Sequence, residues 1–256
     1  MMDAELHSLA IAIARETGGY LAAHAGDHLS VSTKSSPTDT VTNVDRSAEA
    51  LIVRRITESR PDDGILGEEG TSRPSMTGVR WIVDPLDGTV NYVYGIAAYS
   101  VSIGVEVDGE LAAGAVYDAA RGHLYEAVRG GGARRDGELL RCSAVTDLAL
   151  SLVGTGFGYA KDVRARQGAI VARLLPQVRD IRRIGSAALD LCAVASGQLD
   201  GYYERGINPW DRAAGLVIAG EAGARLHVVA DPATGRELTI ASAPGVFDAL
   251  FEAVSQ

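Results

Sequence analysis

Apolar positions recur at helical spacing through residues 3–25, where Leu6, Leu9, Ile13, Tyr20 and Leu21 form one stripe of an amphipathic opening helix. A second helix is expected over residues 45–59. The segment between them, 32–43, is rich in Ser, Thr and Asp around Pro37 and reads as an exposed loop. Short apolar runs at 65–67 and 81–83 predict buried strands, and each runs directly into acidic residues. Residues 101–107 and 110–116 flank Asp108-Gly109, a pair that tolerates positive φ and is the strongest short-range hairpin signal in the chain. Further strands are expected over 123–127 and 139–141.

After Asp147 the texture changes to alternating strands and helices. A strand at 151–155, a helix near 163–175 and a strand at 180–183 lead to an apolar helix capped by Ser186 and ending before Gly197. A strand over 199–203 and a helix opening near Trp210 follow. The expected organisation is a first half, 1–146, joined to a second α/β half, 147–256, with no internal repeat or low-complexity segment.

Composition narrows the function classes. With 46% hydrophobic and 22% charged residues in 256, the chain can bury a sizeable core. A net charge of −9 argues against a nucleic-acid surface, which needs clustered Lys and Arg. An acidic protein that handles phosphates must draw cations from elsewhere. Cys142 and Cys192 are far apart and suggest neither a disulfide framework nor a zinc site. With no secretory pattern and no apolar run of bilayer length, the expectation is a cytoplasmic protein without a membrane partner.

Candidate chemistry concentrates in Asp84-Pro85-Leu86-Asp87-Gly88-Thr89, where a buried strand delivers two carboxylates at its end. Pro85 holds Asp84 extended, Gly88 permits a tight reversal, and Thr89 can open a helix whose free N–H groups attract phosphate. Carboxylates and the Leu86 carbonyl are the hard oxygen ligands that magnesium prefers. Glu68-Glu69 repeats the theme, although taken singly it also reads as a solvated turn. Asp211, in Asn208-Pro209-Trp210-Asp211, reads equally as helix-start chemistry. Acidic clusters at the ends of three separate apolar segments favour a shared cation site, because buried unpaired carboxylates are costly.

These motifs, with the segment from Lys34-Ser35-Ser36-Pro37 to Asp45, resemble the signatures of the inositol monophosphatase family over residues 34 to about 223. The resemblance implies a layered αβαβα sandwich of the sugar-phosphatase type, α+β and α/β in character. Its sheet would be antiparallel in the N-terminal half and mixed in the C-terminal half. It further implies a magnesium-dependent, lithium-sensitive phosphatase with two Mg2+ ions or three. Glu68, Asp84 and the Leu86 carbonyl would bind the first, Asp84, Asp87 and Asp211 the second, and Glu68 with water a weaker third. Asp45 and Thr89 would position the attacking water, and the Gly88 and Thr89 amides would hold phosphate. Gly185, Ala187 and Glu204 match substrate-contact positions, and the family likeness implies a homodimer. For Glu204 an exposed pairing with Arg205 is the competing reading. The substrate expected is an inositol monophosphate; fructose 1,6-bisphosphate, histidinol phosphate or a nucleotide 3′-phosphate are alternatives, as is a regulatory protein that retains the fold.

Other signals carry less. Gly154-Thr155-Gly156-Phe157-Gly158 follows a strand, but Tyr159 stands where a dinucleotide loop needs its last glycine. Gly130-Gly131-Gly132 beside Arg134 and Arg135 reads as a turn. His24 and His28 sit at a helix C-terminus, which favours His electrostatically. Cys192 and Met76 read as packing or surface residues.

Overall fold

The computed structural model describes residues 2–26, 31–33, 40–230 and 235–255. The chain runs through α1 (Met2–Ala23), β1 (Val31–Thr33), β2 (Thr40–Thr42), α2 (Asn43–Ser59), β3 (Gly64–Gly67), β4 (Ser72–Arg73), β5 (Val79–Asp87), α3 (Thr89–Tyr94), β6 (Ser100–Val107), β7 (Glu110–Asp118), β8 (His123–Val128), β9 (Ala133–Arg135) and β10 (Glu138–Leu139). It continues through β11 (Leu152–Thr155), α4 (Lys161–Leu174), β12 (Asp180–Arg182), α5 (Ala187–Ala195), β13 (Gly201–Arg205), α6 (Pro209–Glu221), β14 (Arg225–Ala230), β15 (Glu237–Ser242) and α7 (Phe247–Ser255).

Two sheets and three helical layers stack alternately. The eight-stranded sheet has the order β10-β9-β8-β7-β6-β5-β3-β4, and the five-stranded sheet the order β12-β11-β13-β15-β14. Helices α1 and α2 cover the outer face of the first sheet, burying Leu6, Ile13, Leu21, Ile52 and Ile56 against Trp81, Val101 and Ile103. Helices α5 and α6 fill the space between the sheets, where Leu191, Val194 and Ile218 meet Val116, Tyr202 and Ala241. On the far side, α4 and α7 bring Ile170, Leu174, Phe247 and Leu250 to Val153, Tyr203 and Ile240. The close seat of α6 depends on Gly104 and Gly114, where an added Cβ would lie 2.6 Å from Ala213 Cβ and 2.5 Å from the Ala214 carbonyl.

Asp108 and Gly109 have φ of 53° and 86°, the two positive values a type I′ hairpin needs to match the right-handed twist of its strands. Three expectations require correction. The first sheet is not wholly antiparallel: β3 runs parallel to β5, with Gly67 opposite Val83, because β4 folds back on the outer side of β3. The segment expected as one loop over 32–43 carries the antiparallel pair β1–β2, and Thr42 caps α2 through a reciprocal box with Asp45. The strand expected at 139–141 is the two-residue β10, and its partner β9 begins in the glycine-rich turn's wake at Ala133. The matched Lys34 to Pro37 segment and His28 lie outside the described residues.

Candidate active site

Strand register assembles the acidic residues. Because β3 and β5 are parallel neighbours, they end at the same edge of the sheet, and Glu68 emerges beside Asp84. On a regular strand Asp84 and Asp87, three residues apart, would face opposite sides. A bulge prevents this: Asp84 pairs with Ser102 and Asp87 with Ser100, so β5 carries one extra residue in a stretch that includes Pro85, which has no N–H to donate. Both carboxylates are buried and both bear on Glu68. Gly88, at φ 93°, then reverses the chain into α3.

Hydrogen bonds fix each group. Asp84 accepts from the Leu86 amide at 3.0 Å. One oxygen of Asp87 accepts from the Ser186 hydroxyl at 2.6 Å and the Ala188 amide at 2.8 Å, which ties the β5 turn to the first turn of α5. Asn91 donates to the Ala98 and Ile184 carbonyls at 2.7 and 3.0 Å and holds the Gly185 loop in place. The Thr89 hydroxyl lies 2.9 Å from Asp45 Oδ1 and 3.0 Å from the Leu86 carbonyl, while Asp45 Oδ2 accepts from the Thr42 amide at 2.9 Å. Asp211 does both things the sequence allowed: it accepts the Asn208 amide in a capping box, and it lines the cleft.

Glu49 is a supporting residue that sequence reasoning did not single out. From α2 it accepts the Glu69 and Thr71 amides at 2.7 and 3.1 Å and the Thr71 hydroxyl at 2.6 Å, securing the turn that presents Glu68. No local pattern marks it, since its partners are 20 and 22 residues away. Thr42 was legible in principle, because Thr42-Asn43-Val44-Asp45 has capping-box spacing.

The cleft beside these groups measures about 490 Å³ and is lined by Glu68, Asp87, Gly185, Ala187, Glu204 and Asp211, among others. Glu204 is not a surface residue paired with Arg205; it accepts the Tyr202 hydroxyl at 2.7 Å, whereas Arg205 reaches the Val254 carbonyl at 2.8 Å. Burial pushes Glu204 up to about 7, partly offset by the Tyr202 bond and Arg183. Asp84 is held well above the carboxylate range by burial and then by Glu68, Asp87 and Asp211. Burial raises Asp87 to about 6 against the bonds from Ser186 and Ala188. Burial and then Asp87 and Glu68 raise Asp211, and burial raises Asp45 despite its bonds to Thr42 and Thr89.

No Lys or Arg figures among the leading influences on Asp84, Asp87 or Asp211. Among the described residues, no three His, Cys, Asp or Glu side chains are already drawn together around one point as an ion would require. The fit to a metal therefore rests on donor chemistry: oxygen-only ligands, several of them buried, whose mutual repulsion is relieved by an external cation. By that test the residues suit a hard divalent cation. His24 instead accepts no such role; its Nδ1 lies 2.8 Å from the Tyr20 carbonyl at the end of α1.

The family model described as "Inositol monophosphatase family" matches residues 2–252. A relative from Mycobacterium leprae named inositol-1-monophosphatase is 51% identical over 237 residues, 88% of this chain and 81% of that protein. A relative from Escherichia coli strain K12 named Nus factor SuhB is 41% identical over 220 residues, 84% of this chain and 82% of that one. The solved structure of inositol monophosphate bound SaIMPase-II superposes with a TM-score of 0.79 at 30% identity, covering 96% of this chain and 92% of that one.

Proposed function

The chain belongs to the inositol monophosphatase family, and from that premise we propose that it is a magnesium-dependent phosphatase converting an inositol monophosphate to inositol and phosphate. The observation that carries the reading is the mutual repulsion of Glu68, Asp84, Asp87 and Asp211, without a protein cation among the leading influences, beside a cleft with polar walls. Glu68, Asp84 and the Leu86 carbonyl would hold one ion, Asp84, Asp87 and Asp211 a second, and Glu68 a weaker third. Bound magnesium supplies neutralisation of the phosphate's charge and acidification of water, the chemistry that lets a neutral nucleophile attack a dianion.

The chain's own groups do the placing. The Thr89 hydroxyl donates to Asp45, leaving its oxygen lone pairs to accept from a water and aim it in line with the scissile bond. Asp45, whose proton affinity is raised by burial, then draws the proton from that water through Thr89. The Gly88 and Thr89 amides at the start of α3 are the donors for phosphate oxygens. Gly185, Ala187 and Glu204, which also line the cleft, face the alcohol moiety, where a carboxylate accepts hydrogen bonds from hydroxyls. Lithium inhibition, a homodimer, a cytoplasmic setting and a division into halves near residue 146 belong to the same proposal. The first two rest on family likeness; free Cys142 and Cys192 suit the third. Among the described residues no helix is long and apolar enough to cross a membrane.

The test is phosphate release from a panel of esters by purified protein, with magnesium and after chelation. Inositol monophosphate should be turned over with the highest kcat/KM, and chelation should abolish the rate. A preference for histidinol phosphate or fructose 1,6-bisphosphate would overturn the substrate, and magnesium-independent turnover the mechanism. The Escherichia coli relative's name favours a second reading, a macromolecular partner alongside or in place of catalysis. An intact but inert protein in every ester assay would favour that reading.

A further inference from the structure

Two glycines of the Gly154-Thr155-Gly156 segment have a use that a dinucleotide loop does not explain. Strand β11 lies parallel to β13, with Gly154 opposite Tyr202 and Thr155 opposite Tyr203, so Gly156 comes level with Glu204. A Cβ at Gly156 would sit 1.9 Å from Glu204 Oε2, and one at Gly154 would sit 2.7 Å from Asp190 Oδ1. The missing side chains thus leave room for two carboxylates, one from β13 and one from α5, in the same wall of the cleft.

Asp190 is 2% exposed, and its Oδ1 has no hydrogen-bond partner among the described residues. A buried carboxylate oxygen without a donor is costly, and cores rarely retain one without a ligand or water to satisfy it. Asp190 lines the cleft with Glu204, and the charge of Arg183 bears on both. Neither the β5 turn nor α6 supplies this oxygen with a partner.

Resting on the inositol-phosphate reading above, we propose that Asp190 is a specificity-determining residue. It accepts a hydrogen bond from a hydroxyl of the ester's alcohol moiety while Glu204 engages the neighbouring hydroxyl, so that the cleft selects polyol phosphates carrying adjacent hydroxyls. A hydroxyl both donates and accepts, which suits a pair of close acidic groups beside one arginine.

The test compares kcat/KM for myo-inositol 1-phosphate and for 4-nitrophenyl phosphate, which has no hydroxyls, at saturating magnesium. In Asp190→Leu the ratio between the two esters should fall about 10- to 100-fold, chiefly through KM for the inositol ester. Asp190→Asn, equal in size and with one acceptor retained, should fall in between. Equal losses on both esters, leaving the ratio at its wild-type value, would mark Asp190 as structural and overturn the inference alone. If Asp190→Leu does not fold, a wild-type ratio in Asp190→Asn has the same force. A wild-type protein without preference for the inositol ester would overturn the substrate reading itself.

Discussion

Ser186→Ala separates the electrostatic role of one hydroxyl from its structural role. Ser186 donates to Asp87 Oδ2 at 2.6 Å and accepts the Leu189 amide at 3.2 Å as the cap of α5. Loss of the cap should cost about 1 kcal/mol of stability, read as a lower Tm. Loss of a hydrogen bond to a charged carboxylate is worth about 1.5–3 kcal/mol, which raises the Asp87 pKa by roughly 1–2 units. The Ala188 amide at 2.8 Å remains on the same oxygen and limits the change to that range. Starting from about 6, Asp87 in wild type is ionised for the most part at pH 7; in the variant it is half to one-tenth ionised. Magnesium binding needs the ionised form, so affinity measured by calorimetry should fall about 2- to 10-fold at pH 7 and recover at pH 9. The ascending limb of kcat/KM against pH should move up by the same 1–2 units. An equal loss at pH 7 and pH 9 would show that Ser186 acts by holding shape, and no loss at either pH would remove Asp87 from the metal site.

Asp84→Asn should abolish phosphate release with the fold intact, because the amide keeps the Leu86 bond but removes a charge shared by two ions; the metal-free Tm should rise as repulsion from Glu68, Asp87 and Asp211 is relieved. Thr89→Ala and Asp45→Asn should lower kcat about 100-fold or more with magnesium affinity within a few-fold, and rescue of the rate by excess magnesium would recast both as metal-site residues. The carboxylates Asp84, Asp87 and Asp211 have folded-state pKa values above their unfolded values, so without metal their contribution to stability falls as pH rises through that window, from about 4 towards about 6 for Asp87. Magnesium reverses the sign, and the rise in Tm on adding it should grow from pH 5 to pH 7.5; a pH-independent rise would contradict binding at these groups.

Local patterns sufficed for the elements whose cause is local. The 3.6-residue stripe of α1, the positive-φ pair at Asp108 and Gly109, and the caps at Ser186 and Asn208 depend on neighbours within a few positions, and the structure places each where the sequence puts it. The acidic end of β5 and its likeness to a phosphatase family were legible for the same reason, as a contiguous motif. What remained undecided depends on partners remote in sequence. The parallel pairing of β3 with β5, which sets Glu68 beside Asp84, is one of several registers that short apolar runs allow. The bulge that turns Asp84 and Asp87 to one side follows from pairing with β6, not from Pro85 alone. Charge alone predicts exposure for Glu204 and Asp190; the family likeness marked Glu204 as a substrate contact, and nothing local marked Asp190. Only the stacking of β13 and α5 against the glycines of β11 encloses them, and enclosure is what turns two ordinary acidic residues into parts of a site.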